Sequence, residues 1–256
     1  MPIGRSVLFE GIWCVSGVQE TFVERKCNDI IRSLRIAAGL PRMTRTVHTL
    51  TFYTHPMSRG RIVRWMLEEV GAPYETCLLD YHTTMKAPEY LAVNPMGKVP
   101  AIRHGDVVVT ETAAICAYLA DAFPDARLAP PPGHPDRGCY YRWLFFAAGP
   151  IEAAFSNHAL GFVVPDGRER MMGYGTYNQV LDVLEGAVSG EKYLLGERFS
   201  AADVYLGSQI GFGLEFGTLK KRPVYERYWS RISSRPACVK ARQIDDALIP
   251  TKPQSH

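Results

Sequence analysis

Three short stretches of this chain put polar groups where a backbone end can help them hold an anion or a second backbone. Ser58 stands at the start of a helical pattern that follows a strand-like run. A hydroxyl there can donate to an anion while the positive helix end adds its field, each contribution on the order of 1 kcal/mol. Glu111-Thr112 lies where another strand-like run turns into helix, so the Thr112 N–H and hydroxyl sit at a helix N-terminus, a natural anion site. Val99-Pro100 opens a strand in which proline cannot donate a ladder bond, as suits a sheet edge with another chain's backbone laid beside it. The six cysteines (Cys14, Cys27, Cys77, Cys116, Cys139 and Cys238) are scattered. They form no CxxC and no His/Cys spacing for zinc, so no metal is expected, and the pattern suits a reducing compartment.

The elements that must carry these residues are readable from periodicity. Residues 48–54 alternate and are rich in β-branched and aromatic types, a strand. Ile62, Val63, Met66, Leu67 and Val70 recur at helical spacing and stop at Gly71, a suitable residue just past a helix end. Residues 73–79 read as a second strand, parallel to the first because a helix joins them. A short irregular helix is expected over 87–93. Residues 99–102 and 107–110 flank His104-Gly105-Asp106 as a hairpin, and a helix follows from Glu111 or Thr112 to Ala122. The order β-α-β-α-β-β-α gives a four-stranded mixed sheet covered by helices. The proline-dense stretch 124–135 stops the helix and marks a linker, placed at 124–136. Beyond it the pattern is all-α, with helices expected over 137–159, 169–189, 201–216, 224–233 and 237–248. In Phe199-Ser200-Ala201-Ala202-Asp203-Val204, Ser200 reads as an N-cap, Asp203 as its capping partner, and Phe199 as a staple onto Val204.

Taken in order, these stretches resemble the cytosolic glutathione S-transferases over residues 47–250. The resemblance rests on Tyr53-x4-Ser58-Arg59 and on Trp65-Met66-Leu67-Glu68-Glu69-x-Gly71-x-Pro73-Tyr74-Glu75. It continues through Asn94-Pro95-x-Gly97-Lys98-Val99-Pro100-Ala101, Glu111-Thr112-x-Ala114-Ile115 and Phe199-Ser200-x-Ala202-Asp203. It implies a thioredoxin-like glutathione-binding domain over 47–123 and an all-helical C-terminal domain over 137–250. It also implies glutathione as co-substrate, a small hydrophobic electrophile as second substrate, and a homodimer.

The resemblance further implies a cis bond before Pro100, with Val99 pairing to the cysteinyl backbone of glutathione. Glu111 and Thr112 would hold its γ-glutamyl end, Lys98 its glycyl carboxylate, and Arg59 either the ligand or a surface ion pair. Ser58 is the thiolate stabiliser favoured by its position five residues after Tyr53; Tyr53 itself is the alternative, as in Tyr-type families. A free thiol with a pKa near 8.5 is only a few per cent ionised at neutral pH, and the two helix-start contributions together raise that fraction roughly tenfold or more. Within the aromatic stretch of 140–155, Tyr141 and Phe145 are the residues expected to face the second substrate. The family more often carries Ser where this chain has Thr112, with the hydroxyl retained.

Composition narrows the alternatives. Among 256 residues, 46% are apolar and 21% charged, enough to bury two cores, and the formal charge is +3. Residues 1–46 hold seven Lys/Arg against four acids, so the rest is balanced. A neutral body without a basic stripe makes nucleic acid or an anionic membrane an unexpected partner. No run approaches the roughly 18 apolar residues of a membrane span, and a cytoplasmic location is expected. Residues 1–46 read as a poorly ordered N-terminal extension. Two further functions stay open: a non-catalytic binding or regulatory protein of the same fold, and a glutathione-dependent isomerase or dehalogenase.

Overall fold

The computed structural model describes residues 49–190 and 192–249; the expectation for residues 1–46 falls outside them. β1 (Leu50–Thr54) alternates strictly, with Leu50, Phe52 and Thr54 buried on one face and Thr51 and Tyr53 on the other. The helix α1 (Gly60–Val70) packs Ile62, Val63, Met66 and Leu67 onto the first face. It ends at Gly71, whose left-handed φ of 67° lets its N–H reach the Leu67 carbonyl at 3.0 Å. β2 (Glu75–Leu78) runs parallel to β1. β3 (Ala101–His104) runs antiparallel to β1, and β4 (Val107–Thr110) closes a hairpin through Gly105-Asp106. The sheet order is β2-β1-β3-β4, the four-stranded mixed sheet expected.

The short helix between β2 and β3 is two pieces, a 3-10 turn at Thr84–Lys86 and α2 (Pro88–Leu91). α3 (Thr112–Ala122) follows β4 directly. Tyr53, Leu79, Met85, Tyr90 and Ala101 form a smaller cluster on the opposite face of the sheet from Phe52 and Ile102.

Every longer element after Pro124 is helical. The single helix expected over 137–159 is α4 (Asp136–Phe146), a π-type turn over Ala147–Ile151 containing Pro150, and α5 (Glu152–Ala159). Proline lacks an N–H, and a π turn is one way a helix passes it. The helix expected from 169 begins only at Tyr177: α6 (Tyr177–Ser189) starts at a Thr176/Gln179 capping box, behind Gly175 at φ 67°.

α7 (Ala201–Phe216) has the expected bounds and is buried almost all round, the central helix of this domain. Asp203 accepts from the Ser200 N–H (2.9 Å), the Ser200 hydroxyl (2.9 Å), the Leu194 N–H (2.8 Å) and the Tyr228 hydroxyl (2.7 Å). α8 (Pro223–Ser233) and α9 (Pro236–Ala247) complete the domain. α9 packs along α1, with Arg61–Asp246, Arg64–Asp245 and Lys240–Glu68 ion pairs between them. The architecture is a thioredoxin-like α/β domain followed by an all-helical one. No described helix is long and apolar enough to cross a membrane.

Candidate functional site

The loop after β1 is a tight turn, with Ser58 N–H on the His55 carbonyl at 3.1 Å. The Ser58 hydroxyl donates to the same carbonyl at 2.6 Å and accepts the Gly60 N–H at 2.9 Å. Gly60 has no room for a side chain: a Cβ there would lie 1.9 Å from Thr54 Oγ1. The glycine thus lets α1 start against the end of β1 and brings Ser58 to the helix start. Arg61 Nε donates to the Pro56 carbonyl at 2.7 Å and its Nη2 pairs with Asp246, tying the turn to α9. Tyr81 closes the turn from the other side, its ring 4.4 Å from that of His55 and its hydroxyl on the Met57 carbonyl at 2.9 Å. Burial pushes the Tyr81 hydroxyl above its ordinary pKa, with Arg59 and Ser58 opposing.

The stretch before β3 is held just as firmly. The Val99–Pro100 bond is cis. Asn94 Nδ2 and the Tyr90 hydroxyl both donate to the Lys98 carbonyl, at 2.8 and 2.5 Å, and Lys86 Nζ donates to the Gly97 carbonyl at 2.7 Å. Burial pushes Tyr90 up to about 12, so it stays a donor at neutral pH. At the β4–α3 junction Glu111 has φ 66°, a left-handed conformation unusual for a residue with a side chain, and Thr112 behind it is buried. Strain of this kind costs on the order of 1–3 kcal/mol and clusters at ligand sites.

Two adjoining cavities gather these residues. The smaller, about 270 Å³, is lined by Lys98, Val99, Pro100, Glu111 and Thr112 on one side and by Glu152 and Tyr205 of the helical domain on the other. The larger, about 990 Å³, has Ser58, Met57 and Tyr81 facing Phe155, Gln209 and Phe212. Arg59, Lys98, Val99 and Glu152 line both, so the two are continuous. Arg59 meets Glu152 with two nitrogens, Nε at 3.3 Å and Nη2 on the second oxygen, and Gln209 Nε2 holds the same carboxylate at 3.0 Å.

Seven residues singled out from the sequence thus come together: Ser58, Arg59, Lys98, Val99, Pro100, Glu111 and Thr112. Tyr53 lies elsewhere. It belongs to the other face of β1, its ring 5.6 Å from that of Tyr90, and lines neither cavity.

Tyr141 and Phe145 also line neither. They share the stripe of α4 turned away from the core, where Tyr141 accepts from Arg137 Nε at 3.0 Å and Phe145 is 73% exposed. The π-type turn shifts the helix phase, and the cavity wall is built by Glu152 and Phe155 after it. Glu152, Gln209, Phe212 and Tyr81 were not singled out from the sequence. Glu152 carries one local signal, its place two residues after Pro150. Among the described residues no group of three or more His, Cys, Asp or Glu is placed to hold a metal ion.

Comparison with known proteins agrees with this fold. The family model "Glutathione S-transferase, N-terminal domain" matches residues 48–121, and "Glutathione S-transferase, C-terminal domain" matches 160–236. Glutathione S-transferase F10 of Arabidopsis thaliana is 30% identical over 73% of this chain and 94% of its own length. Among solved structures, the glutathione transferase of Methylococcus capsulatus aligns with a TM-score of 0.66 at 30% identity, over 78% of this chain and all of its own. The glutathione transferase URE2P6 of Phanerochaete chrysosporium, solved in complex with oxidized glutathione, aligns with a TM-score of 0.65 at 29% identity, over 81% and 100%. With both domain models matched in order and relatives of this identity covered nearly end to end, the chain belongs to the glutathione S-transferase family.

Proposed function

We propose that the chain binds glutathione in the smaller cavity, ionises its thiol beside Ser58, and presents the thiolate to a second substrate in the larger one. One observation carries this reading: the Ser58 hydroxyl, the backbone before cis-Pro100 and the buried Thr112 at a helix start converge on two continuous cavities. The cavity residues supply what the peptide needs. The Val99 backbone pairs with the cysteinyl unit, Thr112 and Glu111 take the carboxylate and ammonium of the γ-glutamyl end, and Lys98 takes the glycyl carboxylate.

Ser58 then acts through its proton. The hydroxyl donates to the His55 carbonyl; with a sulfur beside it the same proton turns to the thiolate, and the Gly60 N–H on Oγ strengthens it as a donor. Tyr53, packed against Tyr90 on the face of the sheet opposite Phe52, takes no part.

The second substrate rests on Met57, Phe155 and Phe212. That apolar lining beside a thiolate suits a small hydrophobic electrophile, and the same thiolate serves to reduce a peroxide or disulfide. Serine at position 58 argues against disulfide-forming chemistry through a protein thiol there. The site contains the full set of candidate glutathione contacts, which a purely structural or regulatory protein does not require. Homodimerisation and a cytoplasmic location belong to the same proposal, on the family resemblance.

Calorimetric titration with reduced glutathione tests the reading. Saturable binding that is lost when Thr112 is replaced by Val is expected. A folded wild type that takes up no glutathione contradicts it and favours the non-catalytic alternative.

A further inference from the structure

The charges around Ser58 are mostly accounted for within the protein. Arg61 is answered by Asp246 and by the Pro56 carbonyl, and Lys86 is held on the Gly97 carbonyl. His55 accepts the Met57 N–H through Nδ1. His82 and Glu215 line the larger cavity, Glu111 lines the smaller, and Lys98 lines both. Arg59 differs because it directly follows Ser58 and acts, with it, on the Tyr81 hydroxyl. Its guanidinium is met on two nitrogens by Glu152, a residue of the other domain, which Gln209 holds in place from α7. A cation beside the thiol-binding hydroxyl is therefore matched by a carboxylate that the helical domain supplies.

We propose that Glu152 is a positioning residue that acts through Arg59, and that the balance of this pair sets the acidity of the thiol bound at Ser58. The inference rests on the reading of Ser58 as the thiol site. A nearby guanidinium favours the thiolate and a nearby carboxylate disfavours it. At separations of several ångströms in a half-solvated cleft, either one alone moves a pKa by roughly 0.5–1 unit. Together they nearly cancel, leaving the hydroxyl and the helix end to set the thiolate fraction. The pair's half-exposed setting, with side chains 51% and 31% accessible, means that its loss leaves the core intact.

The test is the ultraviolet absorbance of glutathione thiolate in the complex, titrated against pH, with reduced glutathione as the probe. Glu152→Gln is expected to lower the thiol pKa by roughly 0.5–1 unit, Arg59→Gln to raise it by a similar amount, and the double variant to return close to wild type. Glu152→Asp keeps the charge and is expected to keep the wild-type value, which holds the test open if the Gln variant folds poorly. A pair that only braces the two domains moves both single variants in the same direction or neither, and that result overturns the proposal. Calorimetry on the wild type is done first: no glutathione binding there refutes the site reading itself, whereas binding with unmoved pKa values refutes only the role of the pair.

Discussion

Arg64 Nε donates to Asp245 Oδ1 across 2.6 Å, with both side chains 1% exposed, and so joins the helix that Ser58 introduces to the last described helix of the chain. The guanidinium also donates to the Tyr74 and Thr76 hydroxyls at 3.1 and 3.2 Å and lies 5.1 Å from the Phe52 ring centre. Burial pushes the Asp245 carboxyl up and Arg64 opposes it. A buried pair of this kind gains little over an apolar contact of the same shape, but breaking it by halves is costly.

Asp245→Asn leaves Arg64 buried without a counter-charge and is expected to lower stability by about 3–5 kcal/mol, read as a shift of the urea midpoint. The joint replacement Arg64→Met with Asp245→Leu is expected to lose much less. Equal losses in the two proteins would show that the uncompensated charge is not what destabilises the single variant.

Asp203 satisfies four buried donors from Ser200, Leu194 and Tyr228. Asp203→Ala orphans all of them and is expected to cost about 2–4 kcal/mol, more than an exposed cap of the same type. Tyr228→Phe removes one donor and is expected to cost about 1 kcal/mol. Denaturant unfolding of both variants checks the order; an Asp203→Ala loss no larger than that of Tyr228→Phe contradicts it.

At Gly60 the constraint is steric. Gly60→Ala drives a Cβ to 1.9 Å from Thr54 Oγ1, and Thr54 is fully buried. The helix start must shift, at an expected cost of about 1–3 kcal/mol and with loss of turnover because Ser58 moves with it. Pairing it with Thr54→Ala opens the contact and is expected to recover part of both. Failure of the pair to recover either would place the defect elsewhere.

Much of this was legible locally. The bounds of α7 and its Ser200/Asp203 cap follow from side chains within a few residues of one another, where backbone geometry decides, whereas the cis Val99–Pro100 bond is implied by the family resemblance and not by local chemistry. The helix expected over 169–189 starts only at Tyr177, because the Thr176/Gln179 box caps it and Gly175 takes a left-handed φ of 67° just before it. The expectation for Tyr141 and Phe145 rests on an aromatic stretch at the start of the helical domain, whereas the π turn at Pro150 brings Glu152 and Phe155 to the cleft instead. Glu152, Gln209 and Phe212 could not be found in this way, since each reaches the Ser58 turn only after the chain has crossed into another domain. Their partners are set by helix packing, which single-chain periodicity does not encode.

Burial pushes the Cys116 thiol up to about 12 and Cys238 up to about 11, while Cys139 is exposed on α4. Alkylation of the native protein at neutral pH, mapped by mass spectrometry, is expected to mark Cys139 and spare the other two. The linkage sign follows: the native state keeps protons that an unfolded chain releases near pH 8.5. The stability these thiols contribute is therefore complete below that value and is lost as pH rises toward 11–12. Labelling of Cys116 as fast as Cys139 contradicts the burial on which this depends.

Ser58, and not Tyr53, is the residue proposed to hold the thiolate. The most direct measurement is thiolate absorbance and turnover at neutral pH in Ser58→Ala and Tyr53→Phe, each saturated with reduced glutathione. Ser58→Ala is expected to keep glutathione affinity while losing the bound-thiolate signal and at least about tenfold in turnover, with Tyr53→Phe close to wild type in both. Full thiolate signal and turnover in Ser58→Ala, or their loss in Tyr53→Phe, would contradict the account.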